Sequence, residues 1–126
     1  MSFLGIDLGT SGLRALLTDE GGAPLGSAER AYSVSHPHPG HSEQDPADWI
    51  TALEDAVAEL RAAHPEFAQL KGIGVAGHMH GATLLDAEDR VIRPCILWND
   101  TRSHAEAVAL DATEGVRDLS GNIVFP

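Results

Sequence analysis

Carboxylate, hydroxyl and glycine residues are crowded into the stretch GIDLGTSG near the start of the chain. Gly9 and Gly12 allow positive φ angles and the close approach of a ligand to the backbone. Thr10 and Ser11 add hydroxyl donors to a turn whose N–H groups face one concave side, an arrangement that suits phosphate oxygens. Asp7 would repel such an anion unless a cation lay between them. The pattern therefore indicates Mg²⁺ held by Asp7, directly or through water, and bridged to the phosphate.

Arg14 extends the same pattern, because it follows the turn closely enough to reach back with a charged guanidinium fork. The competing interpretation is a tight hairpin turn that Asp7 caps, with no ligand bound. Short Gly/Thr/Ser motifs often occur without a function, so the spacing alone leaves both interpretations open.

A second group of polar residues, GHMHG, follows a run of small and β-branched residues and precedes another apolar run. We expect it at the end of a strand, facing the crevice where ligands collect in α/β folds. There His80 can donate or accept a hydrogen bond, and Met79 supplies an adaptable apolar wall. The alternative is a pair of partly buried loop residues that bind nothing.

The stretch WNDTR contributes three further candidates, Trp98, Asp100 and Arg102. In a purely local interpretation, Asp100 caps a helix, Arg102 pairs with an acid and Trp98 fills the core. The histidines of the loop HPHPGH do not indicate a zinc centre, because the prolines restrict how the imidazoles could converge.

The elements that must position these residues follow from the hydrophobic pattern. Three strands joined by short turns are predicted for FLGID, LRALLTD and PLGSAERAYSV, which indicates an antiparallel meander. A helix is predicted to begin at Pro46, with Asp45 as its N-cap, and to end before Pro65. Its apolar residues recur every three or four positions and predict a buried stripe of Trp49, Ile50, Leu53, Ala56, Val57 and Leu60.

Later segments are expected to complete the sheet. The run KGIGVAG lacks polar alternation, which predicts a central strand covered on both faces. A hairpin turning near residues 87–89 is predicted for ATLLDAEDRVIRP, and a second helix capped by Asn99 or Asp100 for WNDTRSHAEAVALDA. Strands, a crossover helix and a further strand indicate an α/β fold with a mixed sheet and flanking helices.

Length, charge and cysteine content narrow the class of protein. With 126 residues, 43% of them hydrophobic, the chain is large enough for one domain with its own core. A formal net charge of -11 argues against nucleic acid or an anionic membrane as a partner. The single cysteine, Cys95, excludes an intrachain disulfide, and we find no signal peptide or transmembrane stretch. We therefore expect a cytoplasmic protein.

Four stretches of the chain resemble a known family. The stretch GIDLGTSGLRALLTDEGG resembles the first phosphate motif of the superfamily that contains sugar kinases, actin and Hsp70. Three later stretches resemble the FGGY family of carbohydrate kinases, and within it the members that act on D-xylulose. These stretches are HPGHSEQDPADW, GVAGHMHGATLLDAEDRVIRPCILWNDTR and LSGN. The resemblance implies a ribonuclease-H-like fold and makes residues 1–126 an incomplete N-terminal kinase domain.

The resemblance also implies an activity and its partners. It implies phosphorylation of D-xylulose, or a similar ketose, with ATP as the phosphate donor and Mg²⁺ as the metal. The carboxylate of Asp7 matches the family's metal-linked acid, and the nucleotide phosphates would be contacted by Gly9, Thr10, Ser11 and Arg14. The sugar contacts would come from Met79 and His80, with Trp98, Asp100 and Arg102 beside the sugar pocket.

Some functional parts of the family are expected outside this sequence. The catalytic base of the family is an aspartate from a later segment, so we expect residues 1–126 to have no kinase activity alone. Two alternatives stay open: another FGGY kinase that acts on ribulose, glycerol or gluconate, and a non-catalytic actin-like ligand-binding module. An Arg-Glu pair in place of Met79 and His80 would favour glycerol. A homodimer of the full-length form is a further expectation.

Overall fold

Six strands, three α-helices and one 3-10 helix make up the chain, and the computed structural model describes all of residues 1–126. In chain order they are β1 (Ser2–Leu8), β2 (Gly12–Asp19), β3 (Pro24–Ala31), β4 (Glu43–Gln44), α1 (Pro46–Ala63), the 3-10 helix (Pro65–Gln69), β5 (Leu70–Gly77), β6 (Cys95–Ile96), α2 (His104–Asp111) and α3 (Val116–Ser120). The predicted meander is confirmed, since β1 and β3 both pair antiparallel with β2.

The main sheet is mixed, as predicted, and its strand order is β3-β2-β1-β5. Because β5 lies parallel to β1, with Gly77 paired to Leu8, both strands end at the same edge of the sheet. The glycine-rich turn follows β1, and the GHMHG segment follows β5. Parallel pairing therefore brings the two candidate segments side by side.

The last strand of the main sheet, β5, lies at its edge, so the prediction of a central strand covered on both faces is wrong. Ile73 and Val75 pair with Leu4 and Ile6 of β1 and share their face of the sheet. The two β1 side chains are buried, whereas Ile73 and Val75 are 59% and 73% exposed. The difference arises because α1 packs mainly over β2 and β3.

The long helix α1 begins as predicted. The carboxylate of Asp45 accepts a hydrogen bond from the N–H of Ala47 at 2.9 Å, and proline occupies the first helical position. Ile50 is predicted on the buried stripe but is 56% exposed. The helix packs on the sheet through a neighbouring face that carries smaller residues. The buried side chains of the helix are Pro46, Ala52, Ala56 and Leu60.

The core lies between α1 and one face of the sheet. Its nine buried residues are Leu4, Ile6, Leu13, Ala15, Leu17, Ala28, Ala52, Ala56 and Leu60. Alternate residues of β1 and β2 point into it, as the period of a strand requires. Each fully buried leucine contributes roughly 1.5–3 kcal/mol, so this layer anchors the strands whose ends carry the candidate site.

The segment between β5 and β6 contains the predicted hairpin, reduced to one antiparallel bridge between Leu85 and Val91. Its turn is stabilised by Asp86, whose carboxylate accepts hydrogen bonds from the N–H groups of Glu88 and Arg90. The position of the turn is therefore confirmed, while the flanking residues do not form strands.

The C-terminal part of the chain contains the second predicted helix. It begins later than the capping pattern indicated, because Ser103 is the N-cap of α2. The prediction that Asn99 or Asp100 caps this helix is wrong, since the Asp100 carboxylate instead accepts a hydrogen bond from the backbone N–H of Ser42. None of the helices combines the length and apolar composition needed to cross a membrane.

Candidate functional site

Three consecutive carbonyl groups of the glycine-rich turn are held by the rest of the protein. The Tyr32 hydroxyl donates to the Gly9 carbonyl at 2.6 Å. The side-chain amide of Gln44 donates to the Thr10 carbonyl at 2.7 Å. The backbone N–H of Tyr32 donates to the Ser11 carbonyl at 3.3 Å. The turn therefore has its acceptors directed into the protein.

Two backbone donors of the same turn remain free, while the N–H of Gly9 is bonded to the Gly12 carbonyl. No acceptor within the chain is bonded to the N–H of Thr10 or of Ser11. The Thr10 hydroxyl accepts a hydrogen bond from the indole Nε1 of Trp98 at 3.3 Å, which leaves its own proton available. Two amide donors and two hydroxyl donors are thus offered together, as an anion nest requires.

The two glycines of the turn do not have the positive φ angles that the sequence analysis allowed for. Neither Gly9 nor Gly12 adopts positive φ. A Cβ on Gly12 would lie 2.6 Å from the backbone carbonyl of Arg30, and the missing side chain therefore lets β3 pack closely. The requirement for Gly12 is thus strand packing and not the approach of a ligand. Positive φ occurs instead at Gly22, Gly40, Gly115 and Gly121.

Asp7 carries an exposed carboxylate near the end of β1, with no hydrogen-bond or ion-pair partner. Arg14 lies opposite Asp7 on β2 but pairs with Glu29 of β3 at 3.3 Å. That pair is more than half exposed, so it contributes little stability. Asp7 borders one cavity with Ser11 and Arg14 and another with Thr10. The free carboxylate thus lies beside the free donors of the turn.

A cavity of about 180 Å³ lies between the turn and the GHMHG segment, bordered by Asp7, Thr10, His78, Met79 and Trp98 among others. The His78 ring stacks on Trp49 at 5.0 Å between centroids, and its buried Nε2 has no hydrogen-bond partner. Burial lowers the pKa of His78 and outweighs the opposing effect of the Gly9 carbonyl, so burial favours the neutral imidazole. Among the residues of this segment, the sequence pattern indicated a role for Met79 and His80 but none for His78.

A larger cavity of about 780 Å³ adjoins the first on the side of the C-terminal residues. It is lined by Met79, His80, Trp98 and Asp100, four of the five predicted sugar-side residues. Met79 and Trp98 are 63% and 52% exposed and border both cavities, so Trp98 is not a core residue. His80 has a φ of 63°, in the left-handed region, which turns the chain as it leaves the sheet.

The buried Asp100 forms an ion pair with the partly exposed Arg102. The Oδ2 atom of Asp100 accepts hydrogen bonds from the Ser42 N–H at 2.6 Å and from Arg102 Nη2 at 2.7 Å. Its Oδ1 atom accepts from the N–H and Nε of Arg102, both at 2.9 Å. The Arg102 guanidinium holds the pKa of Asp100 well below its usual range, and Asp100 in turn raises the pKa of Arg102.

The guanidinium of Arg102 also contacts Glu43 at 2.7 Å, and Arg93 contacts the same carboxylate oxygen at 2.8 Å. Arg102 does not line either cavity that Trp98 borders. Both oxygens of Asp100 are already used within the protein. These two residues therefore anchor the turn that carries Trp98 to strand β4.

The residues of the turn fit a Mg²⁺ ion that shares its coordination with phosphate and water. No group of three or more His, Cys, Asp or Glu side chains is placed to hold a metal by itself. Magnesium is usually bound through one or two carboxylates together with substrate phosphates and water. Asp7 is a free carboxylate beside the free N–H donors of the turn, so it could serve as a protein ligand in such a site.

Residues 2–126 match the N-terminal domain of the FGGY family of carbohydrate kinases. This chain belongs to that family. The FGGY domain is 46% identical to the xylulose kinase of Klebsiella pneumoniae and 45% identical to that of Escherichia coli (strain K12). Each match covers 98% of this chain and 26% of the relative. The chain thus spans about a quarter of the length of these curated relatives.

Solved structures resemble the FGGY domain over nearly its whole length. A crystal structure of a xyloylose kinase from Brucella ovis is 63% identical, with a TM-score of 0.97 over 100% of this chain and 27% of that chain. The xylulose kinase of Rhodospirillum rubrum is 34% identical, with a TM-score of 0.83 over 89% of this chain and 23% of that chain.

Proposed function

We propose that this FGGY domain is the N-terminal part of an ATP-dependent kinase that phosphorylates D-xylulose to D-xylulose 5-phosphate. The observation that carries the proposal is the free carboxylate of Asp7 beside the unsatisfied N–H groups of Thr10 and Ser11. The names of the two bacterial relatives, both xylulose kinases, support the choice of sugar. The proposed fold is ribonuclease-H-like, and the proposed location is the cytoplasm, where ATP is available.

On the nucleotide side, the proposed role of the turn is to bind phosphate oxygens. The amides of Thr10 and Ser11 and both hydroxyls would donate to them, with Gly9 keeping the turn compact. Arg14 would add charge from the neighbouring strand when it exchanges Glu29 for a phosphate. Magnesium, when bound, neutralises phosphate charge, and Asp7 is the residue that would hold it, directly or through water.

On the sugar side, the proposed binding surface is the larger cavity. His80 would exchange hydrogen bonds with a sugar hydroxyl, while Met79 and Trp98 would provide the apolar wall. Asp100 and Arg102 would act indirectly, by holding the turn that carries Trp98. Transfer of a phosphoryl group depends mainly on positioning and charge neutralisation, which are the tasks assigned to these residues.

The experiment is an ADP-release assay on the complete protein that contains residues 1–126, with Mg-ATP and a panel of D-xylulose, ribulose, glycerol and gluconate. We expect the highest kcat/KM with D-xylulose. A higher kcat/KM with another sugar would reassign the substrate within the FGGY family. Nucleotide and sugar binding without turnover of any sugar would instead favour a non-catalytic ligand-binding module. Sedimentation of the same sample tests the homodimer.

A further inference from the structure

Two side chains outside the stretch GIDLGTSG donate hydrogen bonds to carbonyl groups of the glycine-rich turn. Tyr32 follows β3 and Gln44 belongs to β4, so neither is a neighbour of the turn along the chain. Their polar atoms nevertheless contact two consecutive carbonyl groups of the turn, those of Gly9 and Thr10, at 2.6 and 2.7 Å. These are the shortest contacts that the turn makes with the rest of the protein.

The planar geometry of a peptide unit determines where its N–H points once its carbonyl is held. All peptide bonds in the chain are trans, and in a trans peptide the carbonyl and the following N–H point in opposite directions. Holding the Gly9 carbonyl inward therefore turns the N–H of Thr10 outward. Holding the Thr10 carbonyl inward turns the N–H of Ser11 outward in the same way. Both N–H groups are the ones left without an acceptor.

The Gln44 side chain is buried, and both polar atoms of its amide are hydrogen-bonded. It is 2% exposed, and its amide nitrogen donates to the carbonyls of Thr10 and Ser33 at 2.7 and 3.2 Å. Its amide oxygen accepts from the indole Nε1 of Trp49 at 3.1 Å. Since an indole nitrogen can only donate and carbonyls can only accept, the orientation of the Gln44 amide has one solution.

The Tyr32 hydroxyl remains a hydrogen-bond donor to the Gly9 carbonyl at the pH values at which enzymes work. Burial, followed by the negative charge of Asp7, raises the pKa of Tyr32 to about 12. The phenol therefore keeps its proton near neutral pH and remains a donor to Gly9. A phenylalanine would keep the ring packing of the partly buried side chain and remove only this hydrogen bond.

We infer that Tyr32 and Gln44 are positioning residues, which orient the amide N–H groups of Thr10 and Ser11 toward the nucleotide phosphates. The inference rests on the proposed function, because it assigns the turn to phosphate. It adds that the donor geometry of the turn is imposed from β3 and β4. Without these two contacts the peptide units of the turn could rotate, and the N–H groups would lose their common direction.

The test compares Tyr32→Phe and Gln44→Glu with a matched control, Gln69→Glu, in the complete protein. Gln69 is exposed at the end of the 3-10 helix, so its variant adds the same charge away from the turn. The measured quantities are the ADP dissociation constant by calorimetry, KM for Mg-ATP, KM for D-xylulose and the melting temperature. Wild-type protein that binds no ADP would overturn the proposed function together with this inference.

We expect Tyr32→Phe to weaken ADP binding and raise KM for Mg-ATP about two- to tenfold, the effect of one hydrogen bond. KM for D-xylulose should stay within about twofold, and Gln69→Glu should match wild type. Gln44→Glu should act in the same direction and more strongly, because a carboxylate would face the Thr10 carbonyl. If Gln44→Glu does not fold, Tyr32→Phe decides alone. Unchanged ADP binding in Tyr32→Phe, or an equal rise in both KM values, would overturn the inference while leaving the proposed function in place.

Discussion

Trp98 donates a hydrogen bond from its indole Nε1 to the Thr10 hydroxyl at 3.3 Å, across 88 positions of the chain. The same indole borders both the small cavity beside the glycine-rich turn and the larger cavity that contains His80. The residue thus connects the proposed phosphate side of the site to the proposed sugar side. The turn that follows Trp98 is anchored by the ion pair of Asp100 and Arg102.

Replacement of Asp7 by asparagine tests the magnesium assignment. In the complete protein we expect Asp7→Asn to lower kcat by at least roughly a thousandfold, because an amide is a poor Mg²⁺ ligand and the phosphate loses its charge balance and alignment. The melting temperature should stay close to that of wild type, since the Asp7 carboxylate has no partner to lose. Asp118→Asn, at an exposed position in α3, is the matched control. An Asp7→Asn protein that turns over within a few-fold of wild type would contradict the assignment.

Removal of the His80 imidazole tests the sugar assignment. We expect His80→Ala to raise KM for D-xylulose or lower kcat by the equivalent of about 1–3 kcal/mol, while the ADP dissociation constant stays unchanged. Because His80 has a φ of 63°, alanine adds backbone strain, whereas His80→Gly removes the same imidazole without it. The two variants should therefore differ in melting temperature and agree in sugar kinetics. Wild-type values of KM and kcat in the glycine variant would rule out His80 as a sugar ligand.

Because of the buried Asp100, we expect the free energy of unfolding to depend on pH in the acidic range. Hydrogen bonds from Arg102 depress the pKa of Asp100 below its ordinary value of 3.8, so its contribution is complete above that pH and is lost as the pH falls further. At pH 7 we expect Asp100→Asn to lower the free energy of unfolding by about 1.5–3 kcal/mol, because the hydrogen bonds from Arg102 lose their charged acceptor while Arg102 keeps Glu43 as its remaining charged partner. Urea denaturation at several pH values measures this. The difference between variant and wild type should shrink between about pH 4 and pH 2, and a constant difference would contradict the role of the charge.

Alanine at Gly12 tests the packing of the turn against β3. A Cβ at this position would lie 2.6 Å from the Arg30 carbonyl, a backbone atom that cannot move aside. We expect Gly12→Ala to cost about 1–3 kcal/mol in thermal or urea unfolding. Gly74→Ala is the matched control, because the same addition in β5 meets no atom within 4 Å. Equal stability of the two variants would show that close strand approach does not require Gly12.

Local chemistry was enough to predict several elements from the sequence. The N-cap of α1 depends on Asp45, Pro46 and the amide two residues beyond the cap, all adjacent in the chain. The antiparallel meander follows from alternating residues joined by tight turns, because the loops are too short for any other pairing. The stretch GIDLGTSG likewise placed a carboxylate, two hydroxyls and free amides together, since they are separated by only a few bonds.

Contacts between distant segments were decided by the tertiary structure. The exposure of Val75 depends on where α1 crosses the sheet, and the helix sequence does not encode that position. Asp100 does not cap the helix, because its carboxylate accepts hydrogen bonds from the neighbouring Arg102 and from the N–H of Ser42, which lies 58 positions away. Residue types and spacing determined which groups could bind phosphate. Only the assembled fold determined that Tyr32 and Gln44 aim those groups, because the direction of a peptide N–H depends on what holds the carbonyl beside it.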